Sequence, residues 1–144
     1  MRNPVSSIQY PVTDVSAALI FRAGKLLITQ RQADAHLGGL WEFPGGKREP
    51  HETFEQCLVR ELREELGVVV SVGRVLEDLT HAYAEKTVRL KFLLCRLGTG
   101  EPQPLGCAAI KWIGREELEA HDFPAADARL LEKLKSAPEL WRAC

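Results

Sequence analysis

No stretch of this chain approaches the roughly 20 consecutive apolar residues that a membrane-crossing helix needs, so no membrane-spanning role is expected. Charge of one sign is also missing, since 19 basic side chains against 20 acidic ones leave a formal net charge of -1. Proteins that grip nucleic acid regardless of sequence carry a basic excess, so direct nucleic-acid binding is not expected either. The cysteines, Cys57, Cys95, Cys107 and Cys144, are far apart, and none stands with a histidine at zinc-finger spacing. Residues 1–14 hold Pro4, Pro11 and a single arginine but no apolar stretch of the secretory kind. Reduced thiols and a cytoplasmic setting are the expectation. Several catalytic signatures are absent too. There is no G-x-G-x-x-G and no G-x-S-x-G, and Gly46-Lys47-Arg48 lacks the hydroxyl residue of a P-loop.

What is present reads as one mixed α and β domain. The 144 residues are 45% apolar and 27% charged, enough for a self-sufficient core. Val15 to Phe21, a turn at Arg22-Ala23-Gly24-Lys25 and Leu26 to Thr29 predict a hairpin. A loop over 31–41 leads to a short extended piece, Trp41-Glu42-Phe43, and then to Pro44-Gly45-Gly46-Lys47, which reads as a turn open to close approach by a ligand. Thr53 with Gln56 predicts a capping box, Gly67 a helix stop, and Phe54, Leu58, Leu62 and Leu66 the apolar stripe between them. Extended segments are expected at Val68–Val72 and Val75–Thr80, a half-buried strand through Val88, Leu90, Phe92 and Leu94, and a short one at Ala109–Ile113. Glu116–Ala120 and Ala126–Leu134 read as helical, giving a sheet with helices on both faces. Residues 1–13 are expected to form an arm or irregular first strand, 14–136 the domain, and 137–144 a tail.

The chemistry concentrates on the central helix. At about 100° per residue, Glu61, Glu64 and Glu65 share one face beside the leucine stripe. Like charges at these spacings repel, and a divalent cation would reverse that effect. Carboxylate oxygens are hard ligands, which favours magnesium or manganese over zinc. A Glu52–Arg60 pair could tie the preceding loop to the helix. Trp41, Trp112 and Trp141 could stack a base, but core positions are the more ordinary use of such residues, Trp112 above all. His81 and Tyr83 read equally as pocket lining or as a surface turn, and His51 and His121 as exposed.

Gly46, Glu52, Arg60, Glu61, Leu62, Glu64, Glu65, Gly67 and Val68 fit G-x5-E-x7-R-E-U-x-E-E-x-G-U, with U aliphatic, at every defined position. This resembles the Nudix box. Arg31-Gln32-Ala33-Asp34-Ala35-His36, Trp41 to Lys47 and Phe123-Pro124-Ala125-Ala126-Asp127 are similar to its MutT-like branch. The resemblance implies the Nudix fold, an α+β chain arranged as an α/β/α sandwich around a mixed sheet. It implies hydrolysis of nucleoside triphosphates to monophosphate and pyrophosphate by attack of water at the β-phosphorus, with 8-oxo-dGTP as substrate. CTP or modified pyrimidine nucleotides are the alternative, and a non-catalytic nucleotide sensor a further one. The cofactor implied is Mg2+, with Mn2+ able to replace it, in a monomer or homodimer.

By position, the resemblance makes Glu61, Glu64 and Glu65 catalytic, with Glu61 the base or its metal-linked equivalent. The metal would be held by Glu61, Glu64, Glu65 and the Gly45 carbonyl. Arg31, His36, Glu42, Phe43, Pro44, Gly45 and Asp127 would bind substrate, with Phe43 offering backbone and ring to the base. Gly46, Glu52, Arg60 and Gly67 would be structural. Two positions depart from the branch. Asp127 stands where it has Asn, and an ionised Asp only accepts hydrogen bonds. The late loop, Pro102 to Ala109, holds no carboxylate where the branch has a Glu; Gly106 falls there, and Glu101 is the nearest acid.

Overall fold

In the computed structural model, residues 11–142 are described. The strands are β1 (Val12–Arg22), β2 (Lys25–Gln30), β3 (Trp41–Glu42), β4 (Gly45–Lys47), β5 (Val70–Tyr83), β6 (Lys86–Leu97) and β7 (Ala109–Ile113). The helices are α1 (Phe54–Leu66), α2 (Ala128–Ser136) and α3 (Pro138–Trp141), with 3-10 turns at Arg115–Ala120 and Ala125–Asp127. The sheet runs β3-β2-β1-β6-β5, with β4 paired to β1 and β7 to β2. β1 and β6 are parallel, from Val12 opposite Thr87 to Ile20 opposite Cys95, and the other pairings are antiparallel.

β1 is central, and Ser16 to Phe21 are all buried, as expected of a strand covered on both faces. Side chains of alternate residues go to two cores. Leu19, Phe21, Leu26, Ile28, Phe92 and Ile113 pack with Leu130, Leu134 and Trp141 on one side. Ala18, Ile20, Leu27 and Leu93 pack with Leu58, Leu62 and Leu66 of α1 on the other. The mixed sheet between helical layers is the expected α/β/α arrangement. α1 has both of its expected ends. Thr53 Oγ1 accepts from the Gln56 N–H at 3.0 Å, the Gln56 side chain takes the Thr53 N–H at 2.9 Å, and Gly67 sits at φ 69° with its N–H on the Arg63 carbonyl.

Four expectations need correction. β1 begins at Val12, so Val12 and Thr13, given to an arm or irregular first strand, belong to the central strand; residues 1–10 lie outside the described residues. The segments Val68–Val72 and Val75–Thr80 merge into β5, which keeps its partner by slipping register on either side of Val75. Gly45–Lys47 is a strand and not a turn, because Val15, Ser16 and Ala17 of β1 supply it with a ladder partner. The segment taken as a tail includes α3. Trp141 is 4% exposed, meets Phe21 edge-on at 5.2 Å and donates its indole N–H to the Leu134 carbonyl at 3.0 Å. Pro138 in the first turn starts that short helix.

Trp141→Ala is expected to cost about 3–5 kcal/mol in chemical denaturation. A loss within about 0.5 kcal/mol, the range of ordinary surface substitutions, would return residues 138–141 to the status of a tail.

Candidate active site

A cavity of about 380 Å³ lies beside β1, β4 and the acidic edge of α1. Its lining brings together Arg31, His36, Glu42, Phe43, Gly45, Glu61, Glu65 and Asp127, residues spread over nearly 100 positions of sequence. Val88, Leu90 and Phe92 of β6 supply apolar wall. Among the sequence-derived candidates, Pro44 and Glu64 are not in the lining. Thr13, Lys47, Tyr83 and Lys86 line the cavity without having been assigned to it. Tyr83 carried only an even-handed signal, and the other three none. None of the three tryptophans lines the cavity; Trp41 meets His121, Trp112 lies under Arg22, and Trp141 is core.

The reason for two glycines here is steric. A Cβ on Gly45 would collide with the Ser16 carbonyl, and one on Gly46 with the Glu61 carboxylate. The close approach expected for a ligand is therefore spent first on β1 and Glu61. Along β4, the Ala18 N–H donates to Pro44 O and the Arg48 N–H to Asp14 O, both at 2.8 Å. Alternate residues of an antiparallel strand turn their polar groups the other way, so Gly45 and Lys47 face away from β1. Accordingly the Lys47 carbonyl accepts from Arg60 Nη2 at 3.0 Å, and the Gly45 N–H meets the Glu65 carboxylate. The Gly45 carbonyl points to that same side.

Arg60 organises the acids. It grips Glu52 with Nε at 2.6 Å and Nη2 at 3.0 Å, and Nη1 reaches Glu61 at 3.0 Å and Glu64 at 3.2 Å. The expected Glu52–Arg60 tie is thus bidentate, and with the Glu49 N–H it holds the Glu52 carboxyl down to about 2. The other acids move the opposite way. Burial, with Glu61 and Glu42 adding repulsion, pushes Glu65 up to about 8. Burial also raises Glu61 and Glu42, against the pull of Arg60 and Arg31 respectively. Asp127, 5% exposed, is pushed up to about 7 by burial and by the charge of Glu42.

Arg31 is held by two contacts, Nη1 on Glu42 at 3.0 Å and Nε on the His36 carbonyl at 2.6 Å. Phe43, itself in the cavity lining, is 3% exposed, with its ring stacked on Phe123 at 5.2 Å and edge-on to Phe92 at 6.0 Å, so one residue joins the cavity wall to the core. Thr29, directly across from Glu42 in the β2–β3 ladder, is buried with its hydroxyl lacking a partner among the described residues. Gly106 packs against Glu65, and Glu101 pairs with Arg22 at 2.9 Å, so no late-loop carboxylate reaches the acids.

The donor set fits a hard divalent cation in kind, with carboxylate oxygens under-neutralised by nearby cations and a backbone carbonyl turned the same way. Among the described residues no three acidic side chains converge into an ion cage as they stand. Arg60 Nη1 spans Glu61 and Glu64 instead.

The NUDIX domain family matches residues 16–133. The 8-oxo-dGTP diphosphatase of Escherichia coli (strain K12) is 39% identical over 111 residues, which is 77% of this chain and 86% of that protein. The CTP pyrophosphohydrolase of the same strain is 40% identical over 119 residues, 83% of this chain and 88% of that protein. The solution structure of the E. coli ORF135 protein superposes with a TM-score of 0.78 at 35% identity, covering 99% of this chain and 100% of that one. This chain belongs to the Nudix domain family.

Between the ordinary aspartate range and about 7, the folded protein keeps a proton on Asp127 that the unfolded chain has released. Stability therefore falls as pH rises through that window. Asp127→Asn is expected to shrink the loss between about pH 5 and about pH 8 by at least about 1 kcal/mol, measured by urea unfolding with a chelator present. An equal loss in both proteins would place Asp127 in water.

Proposed function

We propose that this protein hydrolyses nucleoside triphosphates to the monophosphate and pyrophosphate, with the oxidised guanine nucleotide 8-oxo-dGTP as its substrate in the nucleotide pool. The observation that carries this reading is one cavity in which an acidic helix edge, a fixed arginine and a buried aspartate meet. Nudix hydrolases generally work with a divalent metal, and Mg2+, or Mn2+ in its place, suits the oxygen donors of Glu61, Glu64, Glu65 and Gly45. When bound, such an ion supplies charge screening for the triphosphate and makes the attacking water more acidic.

The protein's own groups have distinct tasks in this reading. Glu61, beside Gly46, takes the proton of the water that attacks phosphorus. Arg31, pre-positioned by Glu42 and the His36 carbonyl, meets the phosphate chain. Asp127 reads the base edge, accepting N–H groups when ionised and also donating when protonated. A second reading, CTP or a modified pyrimidine nucleotide, is favoured by Asp127 itself, since a carboxylate accepts from a cytosine amine. The proposed setting is the cytoplasm, where Cys57, Cys95 and Cys107, free thiols in the structure, would stay reduced.

A pyrophosphate-release screen over 8-oxo-dGTP, dGTP, CTP, 5-methyl-dCTP and 2-hydroxy-dATP, with and without magnesium, tests the reading. Glu61→Gln and Glu65→Gln are each expected to lower kcat at least about a hundredfold while the fold is retained by circular dichroism. Full rate in both variants would remove the acidic edge from the chemistry.

A further inference from the structure

Tyr83 ends β5 and lines the cavity. Its ring stands edge-on to His36, with centroids 6.0 Å apart, and to His81 at 4.6 Å. His36 belongs to the loop whose carbonyl fixes Arg31. The phenol oxygen faces the Ala126 N–H and lies near enough to Asp127 for that charge to act on it. A backbone N–H turned to the oxygen can only donate, so the phenol's own proton remains to be given elsewhere. Burial and the Asp127 charge both keep that proton in place. Two ring contacts thus orient a donor in the same cavity wall as the buried Asp127.

We propose that Tyr83 is a specificity-determining residue, its hydroxyl donating to a ring carbonyl of the base while the Asp127 carboxylate accepts from the N–H groups next to that carbonyl. The inference rests on the reading of the cavity as a nucleoside triphosphate site, and it narrows the base. One donor followed by two acceptor oxygens complements an edge made of a carbonyl, a ring N–H and an exocyclic amine. Guanine and its oxidised form carry that edge. Cytosine can set its carbonyl on the Tyr83 hydroxyl and its amine on one carboxylate oxygen, but its ring nitrogen then faces the other oxygen with no proton between them, where guanine has an N–H. Sites built around such donors and acceptors discriminate strongly against bases that leave one of them unpaired.

The test compares 8-oxo-dGTP with the triphosphate of 2-aminopurine deoxyriboside, which keeps the amine but lacks the carbonyl, in the wild-type protein and in Tyr83→Phe, which removes only the hydroxyl. The ratio of kcat/KM for the carbonyl-bearing base over the carbonyl-lacking one is expected to fall about five- to tenfold in the variant, mostly through KM. An unchanged ratio, or a loss that falls on CTP instead, overturns the proposal. Titration of 8-oxo-dGMP gives the same comparison without turnover. If no triphosphate releases pyrophosphate while monophosphate binding still weakens about five- to tenfold in Tyr83→Phe, hydrolysis is refuted and the base contact stands. If binding is equal in the two proteins, the base contact is refuted.

Discussion

One guanidinium holds the acidic edge of α1 to the strand beside it. Arg60 takes both oxygens of Glu52, the Lys47 carbonyl, and one oxygen each of Glu61 and Glu64. Its flat five-donor fork makes this possible, where a lysine would offer a single point of charge. Beside that link, the thiol of Cys57 on Gly46 and the Gly45–Glu65 contact also tie β4 to the helix. The strand that turns its carbonyls toward the acids is thus fixed against the acids themselves. Glu52 anchors the guanidinium so firmly that the remaining donor, Nη1, is shared between two carboxylates rather than committed to one.

The price of this arrangement is carboxylate repulsion, and the protein carries it where the fold is strongest. Glu65 lies beside the stripe that includes Leu58, Leu62 and Leu66, all fully buried. Glu42 sits on β3, held to β2 by the pairing of Thr29 with Glu42. Raised carboxyl groups at Glu42, Glu61, Glu65 and Asp127 share a cause, burial, and a shortage of counter-charge. Arg31 and Arg60 are both already engaged. A site with that balance favours an incoming cation, and such under-compensated groups cluster where chemistry is done.

Local signals carried α1 almost whole. Its cap, stop, stripe and acidic face all lie within about four turns of sequence, and the structure has each of them. The alternation of Val88, Leu90 and Phe92 likewise identified a strand, because period two is visible in a single segment. What escaped depends on partners distant in the chain. Gly45 and Gly46 read as a turn because glycine pairs suggest one; their actual constraint is Ser16 on one side and Glu61 on the other. Trp141 reads as a tail residue until Phe21 is brought beside it. The residues around the cavity were legible chiefly through resemblance, since nothing local ties Arg31 to Asp127.

The two departures from the branch pattern bear on different ends of the site. Gly106 sits against Glu65 and adds no carboxylate beside it, so in the proposed metal site positioning falls more heavily on Arg60 and β4. Asp127 changes the base end. An asparagine supplies a donor and an acceptor from one side chain, whereas an ionised aspartate supplies only acceptors. A chain that exchanges one for the other must find its donor elsewhere if the same base is to be read. Tyr83 is the group the fold brings to that place, in the same cavity lining as Ala126 and Asp127 and with a proton to donate. The exchange at 127 and the phenol at the end of β5 are therefore best understood as one arrangement, split between two elements that only the folded sheet makes neighbours.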